Sequence, residues 1–440
     1  MTTLDLPLDL TPAQRESAVT TWLRTAPPAA FALYGGLSAF GAYFAMYAFR
    51  KPFTAASYAH IAGWPFAIDF KIMLVIAQVA GYALSKLIGI KIVSEMPPAH
   101  RAGAILLLIG LSEVALAGFA VVPPLAGVGA LFLNGLCLGM IWGLVFGFLE
   151  GRRLTEILGA MLCASFILSS GIVKSAGTAL LVGGWASERW MPAATGLLFT
   201  PVLLVSVWAL AQLPPPDALD EAERTPRRPM NAAQRSRFFA VHAPALVALI
   251  GVYVLLTAVR DFRDNFAAEI WGELGYGGEA SIFTWSELPV AIVVLVALGM
   301  LIRVRGNAHA VMWNLVLIAA GLAILGVATA AFQIGWLGPV AWMIAVGAGL
   351  YLAYTPFNAL LFDRLMAATA FAGNAGFLIY VADASGYCGS VALLLVRNFG
   401  HLSLRWSSFL CEMAYATCLI GLLATGYGAY RLSKSLPARA

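Results

Sequence analysis

Two arginines stand at matching places in this chain. Gly41-Ala42-Tyr43 runs on to Arg50, and Gly251-Val252-Tyr253 runs on to Arg260; six residues without formal charge separate tyrosine from arginine in each. A guanidinium donates two parallel hydrogen bonds to a carboxylate or a phosphate. Inside a bilayer an ionised arginine is costly, so it faces a cavity, a partner or the headgroups. One such cation in each half of a membrane protein points to an anion clamp on a pseudo-two-fold axis. Two arginines snorkelling from helix ends are the simpler alternative.

Helical spacing extends both arginines into polar stripes. Tyr43, Tyr47 and Arg50 share one helix face, as do Tyr253, Thr257, Arg260, Asp261 and Asp264. Gln78, Tyr82 and Lys86 form a further stripe, and Ser170, Lys174 and Thr178 another. Later in the chain Tyr351, Tyr354, Thr355 and Asn358 cluster, and Tyr380, Asp383, Tyr387 and Ser390 line up. A polar stripe on a membrane helix faces protein or water rather than lipid. Tyrosines pack an apolar ring while offering a hydroxyl, which suits a cavity that binds and releases a polar solute. Lys86 lies near the middle of its apolar run, too deep to snorkel easily. Lys174, Asp261, Asp264, Glu287 and Asp383 are candidates for coupling or for ion pairing; Asp261 and Asp264 have Arg260 and Arg263 as adjacent countercharges.

The elements that must position these residues follow from hydropathy. The 440 residues are 61% hydrophobic and 11% charged, against about a quarter charged in soluble domains. A spanning helix needs about twenty apolar residues. Twelve such runs are predicted, at 31–50, 68–93, 101–122, 125–149, 157–183, 193–213, 243–266, 281–302, 309–331, 338–361, 371–396 and 407–430. The fold class is therefore an all-α polytopic membrane protein with two pseudo-symmetric six-helix bundles. The expected divisions are a cytoplasmic segment 1–30, a first bundle 31–213, a linker 214–242, a second bundle 243–432 and a tail 433–440. Pro214-Pro215-Pro216 and the charges after it mark the linker. Thr11-Pro12 followed by Gln14 is predicted to open a short surface helix, and no cleavable leader is expected. Lysine and arginine concentrate in alternate loops, which predicts both termini in the cytoplasm.

Other classes lack support. Nucleophile elbows, Walker loops, zinc-protease helices and Rossmann glycine runs are absent. The cysteines at 137, 163, 388, 411 and 418 lie in apolar runs without metal-ligand spacing. The expectation is a non-enzyme with no cofactor and no metal. The net charge of +5 reflects topology-setting loops rather than a nucleic-acid surface.

Local wording adds a resemblance. Twelve spans with a charged middle linker look like the major facilitator superfamily. YFAMYAFRKPF (43–53), GYALSKLIG (81–89), LNGLCLGMIW (133–142) and YVLLTAVR (253–260) resemble the first, second, fourth and seventh helices of organophosphate:phosphate antiporters. In that family two helix-end arginines bind the phosphoryl group. By position the resemblance gives that role to Arg50 and Arg260, with Lys51 and Lys86 nearby. The family's fifth-helix histidine has no counterpart in 166–171, and its Asp-Arg loop motif is replaced by GIKIVSEMPPAHR. Asp261 beside Arg260 is a further difference, and it favours a zwitterionic solute.

Together these readings predict a monomeric inner-membrane secondary transporter whose partners are the lipid bilayer and a small anionic or zwitterionic solute. The solute-binding set is Arg50, Arg260, Lys51, Lys86, Tyr43, Tyr47, Tyr253, Tyr354, Asn358 and Tyr387. A transporter-like sensor of such a solute, and a proton-coupled symporter of an organic acid, are the alternatives.

Overall fold

The computed structural model describes residues 17–59, 61–152, 154–217, 220, 232–369, 376–399 and 404–436. Among them are twelve helices long and apolar enough to cross a membrane, and no strand. The chain is a multi-pass membrane protein. The first six spans are Pro28–Ala48, Phe70–Gly89, Pro98–Val121, Pro124–Leu149, Thr155–Val182 and Met191–Ala211. The second six are Ala240–Asn265, Ile282–Ile302, Asn307–Gln333, Pro339–Ala368, Leu378–Asn398 and Trp406–Ser435. Residues 17 and 436 therefore share one face, the near face; Arg50, after the first span, lies toward the far face.

Local sequence explains most of the starts. Pro28, Pro98, Pro124 and Pro339 each occupy the first turn of a span, where a missing N–H costs nothing. Asp69 opens the second span by accepting from the backbone of Lys71 (2.8 Å) and Ile72 (3.3 Å). Large apolar side chains with nothing to pack against, such as Val114 and Leu423, cover the outside. Trp185 and Trp336 stand exposed just beyond the fifth and ninth spans, where an aromatic belt belongs.

Three details differ from the sequence expectation. Residues 232–242, assigned to the linker, are helical and continue into the seventh span as one helix, Ala232–Asn265. Hydropathy marks where lipid ends, and good helix formers such as alanine and glutamine carry the helix beyond it. The twelfth helix likewise runs to Ser435, past the expected start of the tail. The fourth span is two helices, Pro124–Leu138 and Ile141–Leu149, that meet at Gly139 and Met140. Residues 1–16 (with the helix expected at Thr11-Pro12), 218–219 and 221–231 of the linker, and 437–440 lie outside the described residues.

Helix packing holds the site together. Within the first six spans, the second packs on the fourth, and the first on the fifth and sixth. Within the second six, the seventh packs on the eleventh and twelfth, and the ninth on the tenth. The two most extensive contacts between the sets are the fifth span against the eighth and the second against the eleventh. The second and fourth spans cross backbone to backbone. A Cβ on Gly81 would lie 2.1 Å from the Phe132 carbonyl oxygen, and one on Gly135 would lie 2.1 Å from that of Gln78. Small residues permit this approach, which in lipid supplies much of the packing energy. The fifth and eighth spans meet the same way, with Gly171 against the Phe283 carbonyl.

Gly135→Ala is therefore expected to force the second and fourth spans apart and to destabilise the protein by about 1–3 kcal/mol or more. Gly118→Ala, where a new methyl meets nothing within 4 Å, is expected to be neutral or to stabilise by up to about 1 kcal/mol. Thermal unfolding of the two variants in detergent checks the contrast.

Candidate functional site

The stripes predicted from spacing converge at the junction of the two six-span sets. A cavity of about 290 Å³ lies there. The first six spans contribute Tyr43 and Tyr47 of the first, Tyr82 and Lys86 of the second, Trp142 of the fourth and Phe166 of the fifth. From the second six come Arg260 of the seventh, Tyr354 and Asn358 of the tenth, and Asp383 and Tyr387 of the eleventh. Asn358 belongs to a wider helical turn, Phe357–Leu361, directly after Pro356. Such single π-turns recur at functional sites because they re-aim a side chain.

The charges form a connected set. Lys86 pairs with Asp383 across the junction at 2.9 Å. Tyr253 donates to the other oxygen of Asp383, and its hydroxyl oxygen lies 2.7 Å from the Tyr354 hydroxyl, which can donate to it. The Asn358 amide donates to the Tyr253 hydroxyl at 3.2 Å. Arg260 binds Asp261 at 2.8 Å, and Ser390 donates to the second Asp261 oxygen at 3.0 Å. The Arg260 guanidinium also lies 4.0 Å from the centre of the Tyr354 ring, a favourable cation–π distance.

Arg50 differs from the rest. It is buried, with 2% exposure, yet it has no carboxylate partner among the described residues. Its guanidinium lies 3.9 Å over the Tyr82 ring, with Tyr47 at 5.7 Å and Tyr387 at 5.8 Å. Its Nε is buried without a hydrogen-bond partner. Arg50 is thus surrounded by rings that line the cavity and is not itself among the lining residues; one tyrosine separates it from the space that Arg260 reaches. Its backbone is held by a polar network. Gln78 donates to the Arg50 carbonyl (2.8 Å) and to Asn134 (2.8 Å), while Asn134 donates to the Phe49 carbonyl (2.9 Å) and to Ser112 (2.7 Å). These bonds satisfy carbonyls that the end of the first span leaves open.

Three sequence assignments change. Lys51, expected beside the solute, is not among the residues lining the cavity; it pairs with Asp264 and donates to Asn265 at 2.7 Å. Asp264 does not neutralise Arg263 but takes Lys51, Lys174 and the Ser170 hydroxyl together. Arg263 instead pairs with Glu287 at 2.7 Å. Tyr253 lies behind the wall, where it organises Asp383 and Tyr354. A smaller cavity, about 240 Å³, adjoins this far-face cluster and is lined by Lys174, Arg263, Asp264 and Glu287 among others. Among residues outside the expected set, Trp142 and Phe166 line the main cavity, and Asn134 braces Arg50 together with Gln78, which stands on a predicted stripe. An asparagine within an apolar run was the available signal for Asn134. The two rings carried none, since they read as ordinary apolar positions.

Ion pairs between the two sets lie at both ends. Toward the far face are Lys51 and Lys174 with Asp264, and Lys71 with Glu269. Toward the near face Arg364 pairs with Glu156 at 2.9 Å. Glu156 and Lys174 share the fifth span 18 residues apart, so the two levels are separated by roughly 27 Å. Asp264→Ala would strand two buried lysines and is expected to destabilise the protein by about 3–5 kcal/mol. Adding Lys51→Met and Lys174→Met should recover much of the loss. Melting of the single and triple variants tests this reading of the cluster.

Three comparisons place this geometry. A family model described as "Family of unknown function (DUF5690)" matches residues 52–434. No curated protein matches the sequence. Among solved structures, a D-xylose-proton symporter superposes with a TM-score of 0.62 at 14% identity, covering 93% of this chain and 98% of the other. The peptide transporter POT gives 0.60 at 14% identity, covering 93% and 96%. A POT family transporter in complex with 5-aminolevulinic acid gives 0.58 at 12% identity, covering 91% and 96%. The fold is that of major facilitator superfamily transporters. At these identities the likeness carries the fold and nothing about the solute.

Proposed function

We propose a function for a chain that belongs to the family of unknown function DUF5690: secondary active transport of a small organic anion, or a zwitterion with an anionic head, by alternating access. The observation that carries this reading is Arg50, a buried guanidinium with no carboxylate partner among the described residues, one ring away from the central cavity that Arg260 and Lys86 line. Around the cavity Arg50, Lys86 and Arg260 face two carboxylates, Asp261 and Asp383. The centre is therefore electropositive by one charge, and a single anion balances it.

The cycle follows from competition. An anion in the cavity draws Arg260 from Asp261 and Lys86 from Asp383. The second exchange weakens a pair that ties the second span to the eleventh, so binding shifts the balance between the closed arrangement and one open to either face. The clusters at the two ends then break in turn, as rocking of two bundles about a central site requires. Both termini in the cytoplasm and a place in the inner membrane agree with the distribution of basic loops. The likeness of four motifs to organophosphate:phosphate antiporters favours a phosphate or phosphonate head and exchange. A second reading, proton symport, is favoured by Asp383, a carboxylate on the cavity wall that Lys86 and Tyr253 hold in place.

A panel of inorganic phosphate, phosphonates, phosphate monoesters and carboxylates tests the anion site by thermal shift of the purified chain. A ligand at a hundred times its Kd is expected to add about 2.7 kcal/mol of stability. Arg260→Ala and Arg50→Ala should each remove that shift while inserting in the membrane normally. Equal shifts in wild type and both variants would overturn the assignment.

A further inference from the structure

The wall of the cavity also limits the body of the solute. Seven of the eleven lining residues are aromatic. Several of the polar groups among them are already bound to a neighbour. Tyr43 and Tyr82 share a hydroxyl contact at 3.4 Å, the Tyr354 hydroxyl lies 2.7 Å from that of Tyr253, and the Asn358 amide donates to Tyr253. Lys86 and Arg260 each hold a carboxylate. A polyhydroxylated body would have to compete with these bonds to replace the hydrogen bonds it gives up to water. Ring faces are what the wall offers instead. Tyr82 and Tyr387 stand edge to face at 4.9 Å, and Phe166 packs beside Tyr354 at 6.1 Å. Trp142 closes the near-face side, with the Lys86 ammonium 5.4 Å from its ring.

We infer that the solute is a monocyclic aromatic, or similarly planar unsaturated, anion with one carboxylate or phosphonate head. The head meets Arg260 and Lys86, and the ring enters the box formed by Tyr82, Trp142, Phe166 and Tyr387. This rests on the anion-transport reading and narrows it, since a ring is favoured over a polyol as the body of the solute. Stacking between the incoming ring and these side chains supplies selectivity that a charge site lacks.

The test compares ligands with closely related phosphonate or phosphate heads and different bodies. Phenylphosphonate, methylphosphonate and glycerol phosphate are titrated into the full chain in detergent, with affinity read by calorimetry. Phenylphosphonate is expected to bind about tenfold more tightly than methylphosphonate, and glycerol phosphate no better than methylphosphonate. Phe166→Leu and, separately, Trp142→Leu should shrink the phenyl-to-methyl ratio; either variant that folds suffices. Methylphosphonate or glycerol phosphate binding as tightly as phenylphosphonate in the wild type overturns the aromatic assignment and leaves the anion site standing. If none of the three binds, nor benzoate, the anion-transport reading falls with it.

Discussion

A charge removed from water into a membrane-spanning bundle must find a countercharge, a dipole or a solvated cavity. That requirement organises the junction between the two six-span sets. Lys51, Lys71, Lys86 and Lys174 come from the first six spans and their flanks, and each meets a carboxylate from the other set. The pairs act as a zipper whose teeth belong to different bundles. Because removing either partner leaves a stranded ion, the two sets cannot separate at one end without a compensating change elsewhere. A stable closed state and a state that opens on demand are both consequences of this one energetic rule.

Arg50 is the exception that gives the junction a purpose. Its charge is met by the faces of Tyr82, Tyr47 and Tyr387 rather than by a carboxylate. Cation–π contacts of this kind are worth about 0.5–2 kcal/mol each, less than a charge-assisted hydrogen bond to an anion provides in a dry site. The arrangement therefore holds the guanidinium in place and leaves it available. Gln78 and Asn134 fix its backbone, and the close glycine crossing of the second and fourth spans brings those two side chains within reach of the end of the first span. Packing that is set by small residues thus determines where a charge can lie.

The fold was readable because lipid imposes a length and a polarity on each helix, and twelve runs satisfied both. Most of the cavity wall was readable as well, since Tyr43, Tyr47, Lys86, Arg260, Tyr354, Asn358, Asp383 and Tyr387 stood on polar stripes whose only sensible direction was inward. Partner choice was not. Asp264 has Arg263 as its sequence neighbour, yet helix rotation turns Asp264 toward Lys51 and Lys174 and sends Arg263 to Glu287. Neighbours in sequence project about 100° apart on a helix, so adjacency says little about pairing. Phe166 and Trp142 escaped notice for a related reason: an aromatic residue in an apolar run looks the same whether it faces lipid, core or cavity. The helix through 232–242 escaped because hydropathy reports the membrane boundary, not the end of the backbone ladder.

The most direct test of the account is an experimental structure of the full chain with a bound phosphonate. The account places the anionic head in the central cavity within hydrogen-bonding distance of Arg260, with Asp383 released from Lys86 and Tyr82 moved so that Arg50 reaches the same head. Density for the anion at a peripheral surface, with the Arg50–Tyr82 stack and the Lys86–Asp383 pair unchanged, would contradict it.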